Sequence, residues 1–168
     1  MTDRPLLTAR LASSNDVAAL GALMVDFYVE AGFILSPAAA QRTFSALIAN
    51  PPLGQIWLLE ADGRAAGFIV LTVSFSMEYG GLRGFVDDFF IAKQFRRHGL
   101  GGLALQAVKE ECMRRGVAAL LVETGPTNEA ALSVYRRAGF VDTEHALLKI
   151  ELREALHAVE QGDEADKA

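Results

Sequence analysis

The sequence is poor in cysteine, because Cys112 is the only one among its 168 residues. A single thiol excludes an internal disulfide, and no cysteine–histidine cluster suggests structural zinc. No apolar run reaches the roughly 18 residues that span a bilayer, and the N-terminus has no continuous apolar stretch typical of a secretory signal. We therefore expect a cytoplasmic protein, since unpaired thiols are typical of a reducing compartment.

Positive charge is also scarce, with 16 lysines and arginines against 21 acids and a formal net charge of −5. This balance argues against nucleic acid as the main partner, because phosphate binding requires a basic face. The sequence also has no internal repeats and no low-complexity linker. We expect one domain over residues 1–155, followed by a flexible tail over residues 156–168.

Periodicity and turn signals predict the order strand, two helices, three strands, helix, strand, helix, and one or two strands between 140 and 152. The turns at Asp62–Gly63 and Gly80–Gly81 make the first part of the sheet antiparallel. The later strand–helix–strand unit requires a parallel crossover. The predicted fold class is therefore α/β, with a mixed sheet flanked by helices on both faces.

The segment from 91 to 105 is the strongest candidate for a binding site, because glycines begin a long helix shortly after a strand. Helix N-termini carry unsatisfied N–H groups and partial positive charge, and glycine lets a phosphate approach the backbone. Nearby basic residues favour a diphosphate site over a merely solvated turn. The segment lacks the Gly-Lys-Ser/Thr of a P-loop, and its match to the dinucleotide fingerprint is weak because residues 93–98 separate the strand from Gly99.

Residues 96–101, Arg-Arg-His-Gly-Leu-Gly, resemble the Arg/Gln-x-x-Gly-x-Gly/Ala signature of the GNAT-superfamily N-acetyltransferases. Residues 128–140 are similar to that family's Asn-x-x-Ala-x-x-x-Tyr-x-x-x-Gly-Phe helix. Residues 86–91 resemble a strand of the diamine (spermidine/spermine-type) acetyltransferases, with Asp87 in place of glutamate. The resemblance implies the GNAT fold, acetyl-CoA as cosubstrate and no metal.

The resemblance also implies which residues bind the coenzyme. In the family, amides of the glycine loop bind the pyrophosphate, and the preceding strand pairs with the pantetheine arm through its main chain, with Phe89 N–H as the carbonyl polariser. The residues that match these positions, together with those of the later helix, are Phe89, Phe90, Ile91, Arg96, Arg97, His98, Gly99, Leu100, Gly101, Gly102, Asn128, Ala131 and Tyr135.

Tyr135 is the candidate general acid, since a phenol with an ordinary pKa near 10 holds its proton at neutral pH and can donate it to a departing thiolate. The alternative is a core tyrosine that packs on Phe140. Asp87, the preferred second catalytic residue, and Asp88 are expected on opposite faces of their strand. One of them either holds the substrate ammonium or relays its proton, or instead ties down a neighbouring loop.

The other candidates for the acceptor site are Tyr28 and Glu30, late in the first helix, and Glu123, at the end of a strand. A core aromatic and surface carboxylates are the alternative interpretations of these residues. The acceptor is expected to be a small molecule with a primary amine, and neither nucleic acid nor membrane is an expected partner.

The sequence thus predicts an N-acetyltransferase that transfers acetyl from acetyl-CoA to a polyamine or an amino-acid-like amine by direct attack in a ternary complex. A non-catalytic acetyl-CoA-binding regulatory module is the alternative function. The family often dimerises through strands near the C-terminus, and the apolar segment Ala146–Leu152 therefore leads us to expect a homodimer.

Overall fold

The computed structural model of the protein describes residues 5–125 and 127–152. Its elements follow the predicted order from the first strand to the last helix. Short 3₁₀ helices at Ser14–Asp16 and Lys93–Phe95 precede the first and third α-helices. The elements are β1 (Leu7–Leu11), α1 (Val17–Glu30), α2 (Pro37–Ile48), β2 (Gly54–Ala61), β3 (Arg64–Ser76), β4 (Gly81–Ile91), α3 (Leu100–Arg114), β5 (Ala119–Val122) and α4 (Glu129–Arg137).

The strands form one five-stranded sheet in the order β1-β2-β3-β4-β5. Neighbouring strands from β1 to β4 are antiparallel, whereas β4 and β5 are parallel. The turn between β2 and β3 has positive φ angles of 50° at Asp62 and 71° at Gly63, as a tight hairpin requires. The mixed sheet predicted from the turns and the crossover is thus confirmed.

Helices cover both faces of the sheet. On one side, called the α1–α2 face, Leu20 and Phe44 pack with Phe68 and Phe90 of the strands. On the opposite side, the α3–α4 face, Leu105 of α3 and Tyr135 of α4 belong to one apolar cluster with Val86 of β4. Two apolar cores therefore hold β4 between them, and a side chain on β4 belongs to one face or the other.

Side-chain caps start two of the helices where the sequence indicates. The Ser36 hydroxyl accepts a hydrogen bond from Ala39 N at 3.2 Å, and Pro37 occupies the first turn of α2. The Asn128 side chain accepts from Ala131 N at 3.1 Å and caps α4. Such caps satisfy amides that have no acceptor within the helix.

The expectation of strands between 140 and 152 is wrong, because this segment has no regular secondary structure. Its apolar side chains are exposed, with Leu148 at 90% and Leu152 at 89%. A strand forms only where another strand supplies hydrogen bonds, and no described strand pairs with this segment. The expected tail at 156–168 lies outside the described residues.

Within the described part of the chain, no helix has both the length and the apolar character needed to cross a membrane.

Candidate active site

The strand β4 has an edge that β5 leaves uncovered. Parallel pairing ends at Val86↔Val122, but β4 continues to Ile91. Ala92 N–H donates to Ala66 O on β3 at 2.9 Å. Main-chain groups alternate in direction along a strand. The main-chain N–H and C=O of Phe90, two residues before Ala92, therefore also point toward β3. Phe89 and Ile91 therefore present their main-chain groups to the uncovered edge, and Phe90 does not.

A β-bulge interrupts β4 at the two aspartates. The register pairs Ile69 with Phe89 but Leu71 with Val86, so Asp87 and Asp88 together oppose a single β3 residue. Val86 and Phe89 both lie on the α3–α4 face. Side chains alternate between the two faces along a strand. Asp87 directly follows Val86 and Asp88 directly precedes Phe89, so both aspartates lie on the α1–α2 face. The expectation that the two aspartates lie on opposite faces is therefore wrong, because the extra residue of the bulge resets the alternation.

The two carboxyl groups and a tyrosine of α1 influence one another electrostatically. Burial and the charge of Asp87 raise the pKa of Asp88 to about 6. Asp87 keeps an exposed surface, although crowding by neighbouring atoms raises its pKa as well. Burial and the charges of Asp88 and Asp87 raise the pKa of Tyr28. The bulge and the end of α1 thus form an acidic site beside a half-buried phenol.

The loop before α3 presents main-chain donors without acceptors. Among the described residues, no acceptor pairs with the backbone N–H groups of 97–102, and the first bond into the helix runs from Leu103 N to Gly99 O at 3.2 Å. Arg97 and Gly99 have positive φ angles of 65° and 101°, which turn successive amides toward a common point. Such an array fits an anion with several oxygens, as a pyrophosphate has.

Arg96 is already occupied by contacts within the protein. Its backbone N–H donates to Lys93 O at 3.3 Å, and its Nε donates to Ile91 O at 2.7 Å. Its Nη2 pairs with Glu30 Oε2 at 2.7 Å, and the guanidinium lies 5.8 Å from the ring centre of Phe90. Arg96 therefore links the glycine loop to Glu30 at the end of α1, and the Glu30 carboxylate forms an ion pair with it.

Tyr135 lies on the α3–α4 face with 8% of its surface exposed. Its ring centre is 5.5 Å from that of Phe140 and 6.4 Å from that of Phe89. Burial raises the pKa of its hydroxyl to about 12, so the phenol keeps its proton at neutral pH. No described residue forms a hydrogen bond with this hydroxyl. It is available as a proton donor near the uncovered edge of β4.

The remaining candidate residues lie in the glycine loop, just after β5 and at the start of α4. His98 is exposed within the glycine loop, and Glu123 is exposed just after β5. The Asn128 carbonyl and the Ala131 amide bond each other at the start of α4, which leaves the Asn128 NH₂ as the group that can reach a ligand. Nowhere in residues 5–125 and 127–152 do three His, Cys, Asp or Glu side chains gather as a metal site would require.

No pattern in the sequence predicted the Glu30–Arg96 ion pair. Its partners are 66 residues apart, and no periodic pattern links residues at that separation. The bulge was also missed, although two consecutive acids within an otherwise apolar strand are a signal that could have suggested it.

Known proteins resemble this chain over most of its length. The model of the acetyltransferase (GNAT) family matches residues 19–140. A crystal structure of an integron cassette protein from the mobile metagenome of Cole Harbour Salt Marsh is 50% identical, with a TM-score of 0.82, and the match covers 89% of this chain and 93% of that one.

Two curated relatives match over shorter stretches. N-alpha-acetyltransferase 30 of Schizosaccharomyces pombe is 37% identical over 59 residues, which are 35% of this chain and 39% of the relative. Aminoglycoside N(6')-acetyltransferase type 1 of Klebsiella aerogenes is 28% identical over 93 residues, which are 54% of this chain and 61% of the relative. The match thus spans less than two thirds of either relative.

The family match includes the glycine loop, the bulged strand and the helix of Tyr135, and the uncommitted amides of 97–102 fit the pyrophosphate of acetyl-CoA. Because the match covers well over half of the sequence, this protein belongs to the GNAT family of acetyltransferases, whose cosubstrate is acetyl-CoA.

Proposed function

We propose that this acetyl-CoA-dependent N-acetyltransferase acetylates a primary amine of a small molecule by direct attack in a ternary complex in the cytoplasm. The observation that carries the proposal is the arrangement along β4. Its uncovered edge borders Tyr135 on one face, and its bulge carries Asp87 and Asp88 on the other. One short stretch of strand thus offers a site for the thioester between a proton donor and an amine-binding acid.

The coenzyme is proposed to bind with its pyrophosphate on the amides of 97–102. From there, its pantetheine arm would run along the uncovered edge and pair with Phe89 and Ile91 as an added strand. The N–H of Phe89 would donate to the thioester carbonyl and stabilise the negative charge that develops on it.

The acceptor is proposed to enter from the α1–α2 face, beside Tyr28. Asp88, with Asp87 next to it, would hold the ammonium group and accept a proton from it. The neutral amine nitrogen then attacks the carbonyl carbon, the carbon–sulfur bond breaks, and the sulfur takes the proton of the Tyr135 hydroxyl. The proton that the new amide nitrogen loses restores the phenol. Two adjacent carboxylates favour a diamine or polyamine over a neutral acceptor, which is the chemistry of the diamine-type branch.

A homodimer is proposed because the segment Ala146–Leu152 exposes apolar side chains that the described chain does not cover, among them Leu147, Leu148 and Ile150 at 67%, 90% and 81%. β5 also has no described strand on its outer side. A second copy can cover both features by supplying a strand and an apolar surface.

Replacing Tyr135 with phenylalanine should lower kcat for acetylation of a diamine roughly 100-fold, because general acid catalysis typically contributes this much or more. The dissociation constant for acetyl-CoA should change by less than about twofold, since the phenyl ring still packs between Phe89 and Phe140. Thiol release across a panel of monoamines, diamines and aminoglycosides gives kcat, and isothermal titration gives the affinity.

Tyr79→Phe, at an exposed tyrosine in the β3–β4 hairpin, is the matched control and should leave both values unchanged. An unchanged kcat in the Tyr135 variant would remove Tyr135 from catalysis. Tight binding of acetyl-CoA without turnover of any amine would instead support the non-catalytic regulatory module.

The pH dependence of kcat/KM should report the ionisation of Asp88. Because its pKa is raised to about 6 and the anchor must be an anion, kcat/KM for a diamine should rise with pH through about 6. Asp88→Asn should abolish this limb. Asp87→Asn should shift the limb to lower pH, because it removes the neighbouring negative charge that disfavours ionisation. A limb that persists in Asp88→Asn would assign the titration to another group.

The Glu30–Arg96 pair should act on the coenzyme only through the loop. Glu30→Gln and Arg96→Gln should therefore weaken acetyl-CoA binding by similar factors of roughly two to five, the size expected for an exposed ion pair. The double variant should bind acetyl-CoA no more weakly than the single variants do. Isothermal titration of the three variants provides the measurement. A much larger loss in Arg96→Gln alone would show that Arg96 touches the phosphates directly.

The dimer should dissociate when its proposed contact is charged. Sedimentation velocity should give a dimer for the unaltered protein and a monomer for the double variant Leu148→Glu, Ile150→Glu. Met113→Glu, at a site on α3 that is 69% exposed, is the matched control and should remain dimeric. A monomeric unaltered protein would contradict the proposal.

A further inference from the structure

A groove of about 230 Å³ runs between α3 and α4. Gly102 lines one end of it, next to the proposed pyrophosphate site, and Lys109 and Arg137 line it further along. Gly102, Gln106 and Lys109 are spaced by four and three residues and therefore share one face of α3. Seven residues of helix rise about 10 Å, so a flexible lysine can reach a group bound a short distance from the pyrophosphate.

Neither cation in the groove has a carboxylate partner. Within the described residues, neither Lys109 nor Arg137 forms an ion pair within 4.0 Å. Lys109 Nζ donates to Ala138 O at 3.1 Å, and Arg137 Nη1 donates to Ser133 Oγ at 3.1 Å. The acid that adjoins Lys109 in sequence, Glu110, instead accepts from Gln106 at 2.8 Å. In a protein with a net charge of −5, this local positive charge has no ion-pair partner among the carboxylates of the described residues.

Coenzyme A offers an anion that suits this position. Its ribose carries a 3′-phosphate, separate from the pyrophosphate, and a phosphate monoester carries a charge of about −1.5 to −2 at neutral pH. Lysine and arginine bind phosphate oxygens through charge-assisted hydrogen bonds. Each of the two side chains makes one hydrogen bond to a neutral oxygen, and their remaining N–H groups can still donate to a ligand.

We propose that Lys109 and Arg137 bind the 3′-phosphate of the coenzyme and thereby make this enzyme select acetyl-CoA over its 3′-dephospho form. The inference rests on the proposed placement of the pyrophosphate at the start of α3. The two cations act on affinity and not on the chemical step, because the thioester lies at the opposite end of the coenzyme.

Isothermal titration of CoA and of 3′-dephospho-CoA tests the proposal without any turnover. The unaltered protein should bind CoA roughly tenfold more tightly, as expected for charge-assisted bonds at an exposed site. In the double variant Lys109→Gln, Arg137→Gln, this ratio should fall to about one through weaker binding of CoA, while the affinity for 3′-dephospho-CoA stays unchanged. Arg42→Gln, an exposed arginine on α2, should keep the full ratio.

Lys109→Arg separates phosphate binding from stability. Arg137 is the last residue of α4, and Lys109 of α3 donates to Ala138 O at the C-cap of α4. Cations at this end also stabilise the helix, so the loss of either one can lower the melting temperature. The arginine variant retains the charge and should retain the preference for CoA. Equal binding of both coenzymes by the unaltered protein, or an unaltered ratio in the double variant, would overturn the proposal. If neither coenzyme binds, the proposed pyrophosphate site fails with it.

Discussion

The separation of β4 from β5 beyond Val86 is the constraint on which the site depends. β5 ends at Val122, whereas β4 continues to Ile91 and leaves main-chain donors and acceptors without a strand partner on that side. Unpaired main-chain groups at a strand edge are a template for an extended ligand. A coenzyme arm can pair there only because β5 is short. A longer β5 would complete the sheet and close the site.

The bulge at Asp87 and Asp88 reverses which face of the sheet the alternate side chains of β4 occupy. Before the bulge Val86 contributes to the α3–α4 core, and after it Phe90 contributes to the α1–α2 core. The extra residue lets two acids occupy one face without displacing the apolar side chains around them. Their shared environment raises the pKa of both carboxyl groups, which is the perturbation that acid–base chemistry near neutral pH requires.

The residues of the glycine-loop motif have two different roles. The amides of 97–102 have no acceptor among the described residues, and Gly99 has no side chain to cap α3, in contrast to Ser36 at α2 and Asn128 at α4. Arg96, the first residue of the same motif, has a different task. Its contacts with Ile91 and Glu30 hold the loop in place. The motif therefore combines amides that can bind a ligand with an arginine that positions the loop.

Local patterns in the sequence determined the elements, their order, the mixed sheet and the glycine loop, because caps, turns and apolar periodicity act over a few residues. Tertiary structure alone decided which face Asp87 and Asp88 occupy, since that depends on the bulge at which the register between β4 and β3 shifts between Ile69 and Leu71. It also decided that Glu30 pairs with Arg96, and that residues 140–152 form no strand within the described chain. These outcomes depend on partners distant in sequence, and no local propensity encodes such partners.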